Sequence, residues 1–215
     1  MGHNKKLKLN LLLEKIEKKE CPNCPRMNRC NPVFSMTEAD IKKKIMFIAE
    51  APGRFGAEIS RIPMSGDQSG DNFEKLIVSI GLTRDDFFIT NAVLCLPLDT
   101  EGNNDTPKDG EIKNCSNFLS EQIELIKPEI IITLGSSALK ALSKIRNHTL
   151  KLSKDAGTIH LWNGFFLMPL YHTSPKVMNI HRNMDQQLKD YQILKEWLEF
   201  NIFKSSATNT NRANI

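Results

Sequence analysis

Five apolar residues in a row, IMFIA at 45–49, end abruptly at Glu50 and give way to Ala51-Pro52-Gly53. A run without polar alternation, bounded by turn formers, describes a strand covered on both faces, the kind found in parallel sheets with helical crossovers. In open α/β sheets ligands bind beyond the carboxyl ends of the strands, so the residues after Ala49 are the first place to look for a site. The stretch continues through Ser65-Gly66-Asp67-Gln68-Ser69-Gly70 into a segment with Phe73, Leu76, Ile77 and Ile80 at helical spacing. Its serines, glycines and free amides could cradle a phosphate. They could equally be a loop and N-cap.

The rest of the chain repeats the alternation. An amphipathic helix over 7–19 leads into CPNCPRM, where prolines block its continuation. After strand 44–49 and helix 70–81, the segment DFFITNAV at 86–93 reads as a strand carrying Asn91 near its end, just before Cys95. Residues 98–110 are polar and read as a mobile loop. A helix over 111–127 puts Ile112, Cys115, Leu119, Ile123 and Ile126 on one side, and Pro128 separates it from a strand over 129–134. Gly135-Ser136-Ser137 then opens a helix over 138–146.

Residues 158–171 resemble two strands joined at Asn163-Gly164, a dipeptide suited to a type I′ turn, and deliver Tyr171-His172-Thr173-Ser174-Pro175. A last amphipathic helix carries Met184, Leu188, Tyr191, Leu194, Leu198 and Ile202. The expectation is a single domain over 1–204 with a disordered tail over 205–215. Its fold is α/β, a three-layer sandwich with a central, mostly parallel sheet of about four strands. Strand ends then bring 50–67, Asn91 and His172 towards one cleft.

The net charge is only +4, but Lys5, Lys6, Lys8, Lys15, Lys18, Lys19 and Lys42 to Lys44 crowd the N-terminal part. Such lysines suit either contact with a polyanion or a solvated helix face. No apolar run approaches the ~18 residues of a membrane span, and the basic start lacks a signal-peptide core; the reading is cytoplasmic, nucleoid-associated and without membrane partners. Five cysteines fall as Cys21-x2-Cys24 with Cys30 close behind, then Cys95 and Cys115. In a reducing compartment this favours metal ligation over disulfides, with zinc and an iron–sulfur cluster both open and one cysteine spare.

Taken together, these residues resemble the uracil-DNA glycosylase superfamily, in particular its iron–sulfur-containing bacterial and archaeal families four and five, from about Cys21 to Arg182. CPNCPRM resembles the family's first cysteine pair. AEAPG is similar to the first motif of family four, MSGDQSG is nearer to family five, Asn91 in ITNAVLC matches a family-four position, and HTSP with Arg182 ten residues after His172 resembles family five's closing HPSP-type motif. The resemblance implies a 4Fe-4S cluster, rather than zinc, on Cys21, Cys24, Cys95 and Cys115, with Cys30 spare or an alternative ligand. It also implies a monomer acting on DNA that contains uracil or another deaminated base.

Breaking a deoxyuridine N-glycosidic bond builds positive charge on the sugar and negative charge on the departing base. The base must first leave the helix. Under the resemblance, Asn91 pairs with uracil O4 and N3–H, and a neutral His172 donates to O2 of the leaving base. Asp67 and Glu50 compete to orient the attacking water, and Asp67 could instead be only an N-cap. Ala51, Gly53 and Met64 would contact the base; Ser65, Ser69, Ser174 and Arg182 would hold flanking phosphates.

The pattern departs from the family in places. Met64 stands where a phenylalanine normally stacks on uracil, which predicts weaker or less selective base binding, admitting deaminated purines such as hypoxanthine. Val177 stands where family five tends to have asparagine, and no basic insertion follows Pro52-Gly53, which argues against covalent trapping of the sugar. The alternative is a non-catalytic iron–sulfur protein that senses deaminated bases. A nucleotide-binding protein is disfavoured because the loop lacks the GxxxxGK[ST] lysine and the GxGxxG spacing.

Overall fold

The computed structural model describes residues 3–21, 24–27 and 30–203 of the 215-residue chain. The tail expected to be disordered lies outside these residues. In chain order the elements are α1 (His3–Glu17), β1 (Ile45–Ala49), α2 (Ala57–Ser60), α3 (Gln68–Ser79), β2 (Phe87–Asn91), α4 (Asp109–Ile126), β3 (Ile130–Leu134), α5 (Ser136–Ile145), α6 (Leu152–Asp155), β4 (His160–Trp162), β5 (Phe165–Leu170), α7 (Pro175–Ile180) and α8 (Met184–Leu198).

The sheet has five strands rather than about four, in the order β2-β1-β3-β5-β4. All neighbours are parallel except the β4–β5 hairpin, whose turn at Asn163-Gly164 holds both residues at positive φ. The extra strand is short and lies at the edge, where three residues suffice to close the hairpin. Alternate side chains divide the core. Met46, Ile48, Phe88 and Ile131 face α1, α4 and α5, while Phe47, Ala49, Phe87 and Ile132 face α3 and α8. Chain order reverses at β1, which pairs with β2 on one side and β3 on the other. This is the switch point where α/β sheets open a crevice.

Short helices α2, α6 and α7 went unread in the sequence because one or two turns carry too little periodicity. The loop over 98–110 is not free. Asp99 accepts the amides of Glu101 and Asn103, Leu98 bridges Asn104, and Arg26 donates to Asp105, Thr106 O and Leu98 O. Several N-terminal lysines are held by carboxylates, Lys15 by Glu121, Lys6 by Glu38 and Lys44 by Glu129, which favours the structural reading of that charge cluster. No helix among the described residues is long and apolar enough to cross a membrane.

Candidate active site and cysteine cavity

Beyond the carboxyl ends of β1, β3 and β5 lies a pocket of about 440 Å³, within the size range of small-molecule sites. Its walls include Glu50, Ala51 and Gly53 after β1, Met64 to Asp67 before α3, Ser136 at the start of α5, and His172 and Ser174 after β5. Of the residues singled out in the sequence, Glu50, Ala51, Gly53, Met64, Ser65, Asp67, Ser69, His172 and Ser174 all line it.

Asp67 serves two purposes. One oxygen accepts the Gly70 amide at 3.0 Å and caps α3, so the N-cap reading is correct. The other faces the pocket wall so closely that a Cβ at Gly53 would lie 2.8 Å from it, and one at Gly56 2.5 Å. Both positions therefore exclude side chains for the sake of that carboxylate. Glu50 is fixed differently: Ser137 Oγ, buried at the head of α5, donates to Glu50 Oε2 at 2.6 Å.

His172 is set by its own loop. The Ser174 amide donates to Nδ1 at 3.1 Å, which leaves the ring proton on Nε2. Burial pushes the imidazole below its ordinary value, against the opposing charges of Glu50 and Asp67, so the ring is neutral at pH 7. The loop is tied to the helix that carries Asp67: Asn72 Nδ2 donates to Thr173 O at 3.0 Å and Thr173 Oγ1 to Ser69 O at 2.7 Å. From the other side Gly135 comes so near that a Cβ there would sit 3.3 Å from His172 Cβ.

Met64 has a left-handed backbone, φ 54°, unusual for a side chain without a local hydrogen bond of its own. Arg84 secures it by donating to Pro63 O at 2.9 Å and to Met64 O, its guanidinium lying 5.2 Å from the Phe73 ring.

One expectation is corrected. Arg182 does not reach the pocket; it donates to both oxygens of the buried Asp190 and lies 5.9 Å from the centre of the Tyr171 ring. The pairing is eight residues along the chain, and a buried carboxylate outcompetes a solvated phosphate position for the guanidinium. The cation at the pocket wall is Lys176. Asn91 is not in the lining either. It pairs with Ala49 at the end of β2, 2% exposed, with Nδ2 lacking a hydrogen-bond partner.

Sequence reasoning missed the role of Ser137, which reaches the pocket only through its bond to Glu50, and missed Lys176, Asn104, Asp105 and Thr106, which line the pocket. Arg54 holds that loop: its amide donates to Asn104 Oδ1 at 2.9 Å and its guanidinium to Gly102 O. A glycine and asparagine pair in a polar loop carries no signal of where the loop will lean.

A second cavity, about 250 Å³, is lined by Cys21, Cys24, Cys95 and Cys115 together with Ile16, Met27 and Phe118. Cys30 stands apart, its thiol donating to Leu96 O at 3.4 Å. Burial pushes Cys95 and Cys115 up to about 12 and raises Cys21 as well. The described residues contain no group of three or more His, Cys, Asp or Glu set to hold a metal ion; what the four thiols share is the cavity. Arg26, next to Met27 of the lining, donates to both oxygens of Glu111 at 2.8 Å and holds that carboxyl below the usual range.

A mostly parallel α/β sheet with a histidine and two carboxylates around a crevice at its carboxyl edge has the architecture of an α/β enzyme. Residues 36–197 match the model of the uracil DNA glycosylase superfamily, and the chain belongs to that superfamily. It is 36% identical over 199 residues to the type-4 uracil-DNA glycosylase of Saccharolobus solfataricus, covering 88% of this chain and 86% of that one. It is 31% identical to the type-4 enzyme of Thermotoga maritima, covering 80% and 84%, and 29% identical to the type-5 enzyme of Pyrobaculum aerophilum, covering 66% of each. The crystal structure of Pedobacter heparinus SMUG2 shares the fold, with a TM-score of 0.55 at 13% identity over 88% of this chain and 98% of the other.

Proposed function

We propose that the protein hydrolyses the N-glycosidic bond of uracil in DNA and leaves an abasic site. The observation that carries the reading is the neutral His172, with Nδ1 occupied by the Ser174 amide, in one pocket with Glu50 and Asp67. An Nε2–H donor stabilises negative charge on O2 of the departing base without needing to give up its proton. A carboxylate on the sugar side offsets the developing positive charge and orients water. Asp67 is the better candidate for that water: its capping bond fixes one oxygen, and two glycines keep the other open to the pocket. Glu50, held by Ser137, then supports the sugar electrostatically.

Asn91 supplies discrimination, its unpartnered buried amide donating to O4 once the base presses against the wall. Ser65, Ser69 and Ser174, with Lys176 in place of Arg182, hold the backbone on either side of the extrahelical nucleotide. Met64 covers the base face where an aromatic ring would stack more rigidly.

The cysteine cavity fits a 4Fe-4S cluster on Cys21, Cys24, Cys95 and Cys115. Soft thiols whose burial disfavours the free thiolate are a donor set that a bound iron centre would deprotonate, and such a cluster would bind three distant stretches together. Its role is structural, outside the hydrolysis. Absorption near 400 nm in anaerobically purified protein tests it against zinc.

Single-turnover incubation with labelled uracil-, hypoxanthine- and xanthine-containing oligonucleotides, followed by alkali, tests the activity. Strand cleavage dependent on uracil supports the reading. Retention on uracil-containing DNA without cleavage replaces it with a non-catalytic sensor.

A further inference from the structure

Between Gly53 and Gly66 the chain forms a loop shaped by local bonds, Gly56 N to Gly53 O at 3.1 Å and Ser60 Oγ to Ser65 O at 3.1 Å. The inner face, Gly53, Ala57, Met64 and Ser65, lines the pocket. The outer face is apolar and bare: Phe55 is 66% exposed, Ile59 71% and Ile62 51%. Three large apolar side chains within eight residues form a patch that a lone surface leucine does not, and such patches mark contact sites. The spacing is not an accident of a buried helix face, because α2 is a single turn whose buried residue is Ala57.

We propose that Phe55, Ile59 and Ile62 pack against the bases that flank the extrahelical nucleotide on its own strand, an inference that rests on the glycosylase reading. Two observations select this occupant. The patch and the pocket wall are built from one short loop, Phe55 lying between Gly53 and Ala57, both of which line the pocket, so the neighbours of a nucleotide held there lie near this loop. Arginines flank the patch, Arg54 4.4 Å from the Phe55 ring centre and Arg61 at the far end, where its guanidinium donates to Pro32 O at 2.6 Å and pairs with Glu58 at 3.4 Å. Apolar side chains between basic ones match bases between phosphates. Extruding a nucleotide unstacks its neighbours at a cost of about a few kcal/mol per step, and an apolar rim recovers part of it. Phe55, pre-positioned by Arg54, is the residue that stacks.

The test uses the intact protein and an oligonucleotide carrying a tetrahydrofuran abasic analogue with 2-aminopurine on its 5′ or 3′ side. Affinity and fluorescence are read for wild type, Phe55→Ala, Ile59→Ser, Phe55→Leu and, as a control on edge strand β4, the exposed Leu161→Ser. Phe55→Ala is expected to weaken binding by about fivefold or more, the lower end of what loss of one base–aromatic stack costs, and to abolish the 2-aminopurine change on one side. Phe55→Leu should recover part of the affinity, and Leu161→Ser should match wild type. Phe55→Ala binding within twofold of wild type, with the fluorescence change intact, overturns the proposal. So does a change in sedimentation of the free protein on Phe55→Ala, which would make the patch a contact between copies. Uracil release by wild type is measured alongside: release with an indifferent Phe55 sinks this inference alone, whereas no release from any oligonucleotide sinks the glycosylase reading and the inference with it.

Discussion

The base pocket and the cysteine cavity are both assembled from distant stretches of chain, yet they are held in opposite ways. In the pocket every chemical group has a partner that fixes it: Asp67 the Gly70 amide, Glu50 the Ser137 hydroxyl, His172 the Ser174 amide, and the loops of Ser69 and Thr173 each other. In the cavity the thiols have little of this. Cys24 accepts from Asn114 Nδ2 at 3.3 Å, Cys30 turns away to Leu96 O, and burial disfavours the anionic form of Cys95 and Cys115. The pocket is preorganised by protein alone, as electrostatic catalysis requires. The cavity is a set of soft donors that the polypeptide itself ties together little, as the proposed cluster site would be.

If that contrast is right, changes in the pocket alter rate and leave stability alone, and changes around the cavity do the reverse. The largest effect is expected from charge removal at Asp67. Asp67→Asn keeps the α3 cap and should lower single-turnover uracil release by about 10²–10⁴-fold with melting nearly unchanged, because Asn caps about as well as Asp. Glu50→Gln measured in parallel ranks the two carboxylates; a smaller loss for Asp67→Asn than for Glu50→Gln reverses their assigned roles.

Arg26→Ala probes stability on the other side; because Arg26 also holds Asp105 and Thr106 of the pocket loop, its effect is read on melting and not on rate. It leaves Glu111, 7% exposed, without its bidentate partner, and should destabilise the fold by about 3 kcal/mol, as breaking a buried ion pair does. Because Glu111 titrates below its ordinary value in the fold, the pair's contribution is complete above the unfolded value and is lost as pH falls through the folded one. Denaturant melts of wild type and variant should therefore converge in acid, and a constant gap down to low pH would contradict the pairing.

Ser137→Ala should cost about tenfold in release, about 1.4 kcal/mol, by letting Glu50 turn, and Ser137→Thr should restore most of it. An unchanged rate would show that Glu50 is held by its backbone. The smallest change concerns selectivity: Met64→Phe should shift the ratio of uracil to hypoxanthine release by about 1 kcal/mol towards uracil, through a stiffer stacking face. Equal ratios for the two proteins would remove Met64 from base recognition.

What could be read from the amino acids follows the range of the forces involved. The strand at 45–49, the turn after it and the HTSP loop are local patterns, and each appears where its periodicity and turn formers put it. The convergence of Glu50, Asp67 and His172 also follows, because parallel strands place their carboxyl ends on one edge. Arg182 illustrates the limit. Beside a histidine motif it looks like a phosphate ligand, but Asp190, nearly two helix turns into α8, is buried and needs a cation. Ser137 lies 87 residues from Glu50 and Arg26 85 from Glu111, so neither bond leaves a trace in local sequence. Asn91 sits at the strand end as read, but that its amide would be buried without a partner is a matter of packing that local sequence does not carry.

The central claim is that an uncharged imidazole at position 172 stabilises the departing base. It is tested most directly by single-turnover uracil release from His172→Ala and wild type across pH, with oligonucleotide binding measured on the same samples. The account predicts a loss of about 10²–10³-fold for the variant, binding within about threefold, and a wild-type rate that persists below pH ~6.5, where an ordinary histidine would already be protonated. Equal losses of binding and rate, or a wild-type rate that rises as the imidazole gains its proton, would contradict it.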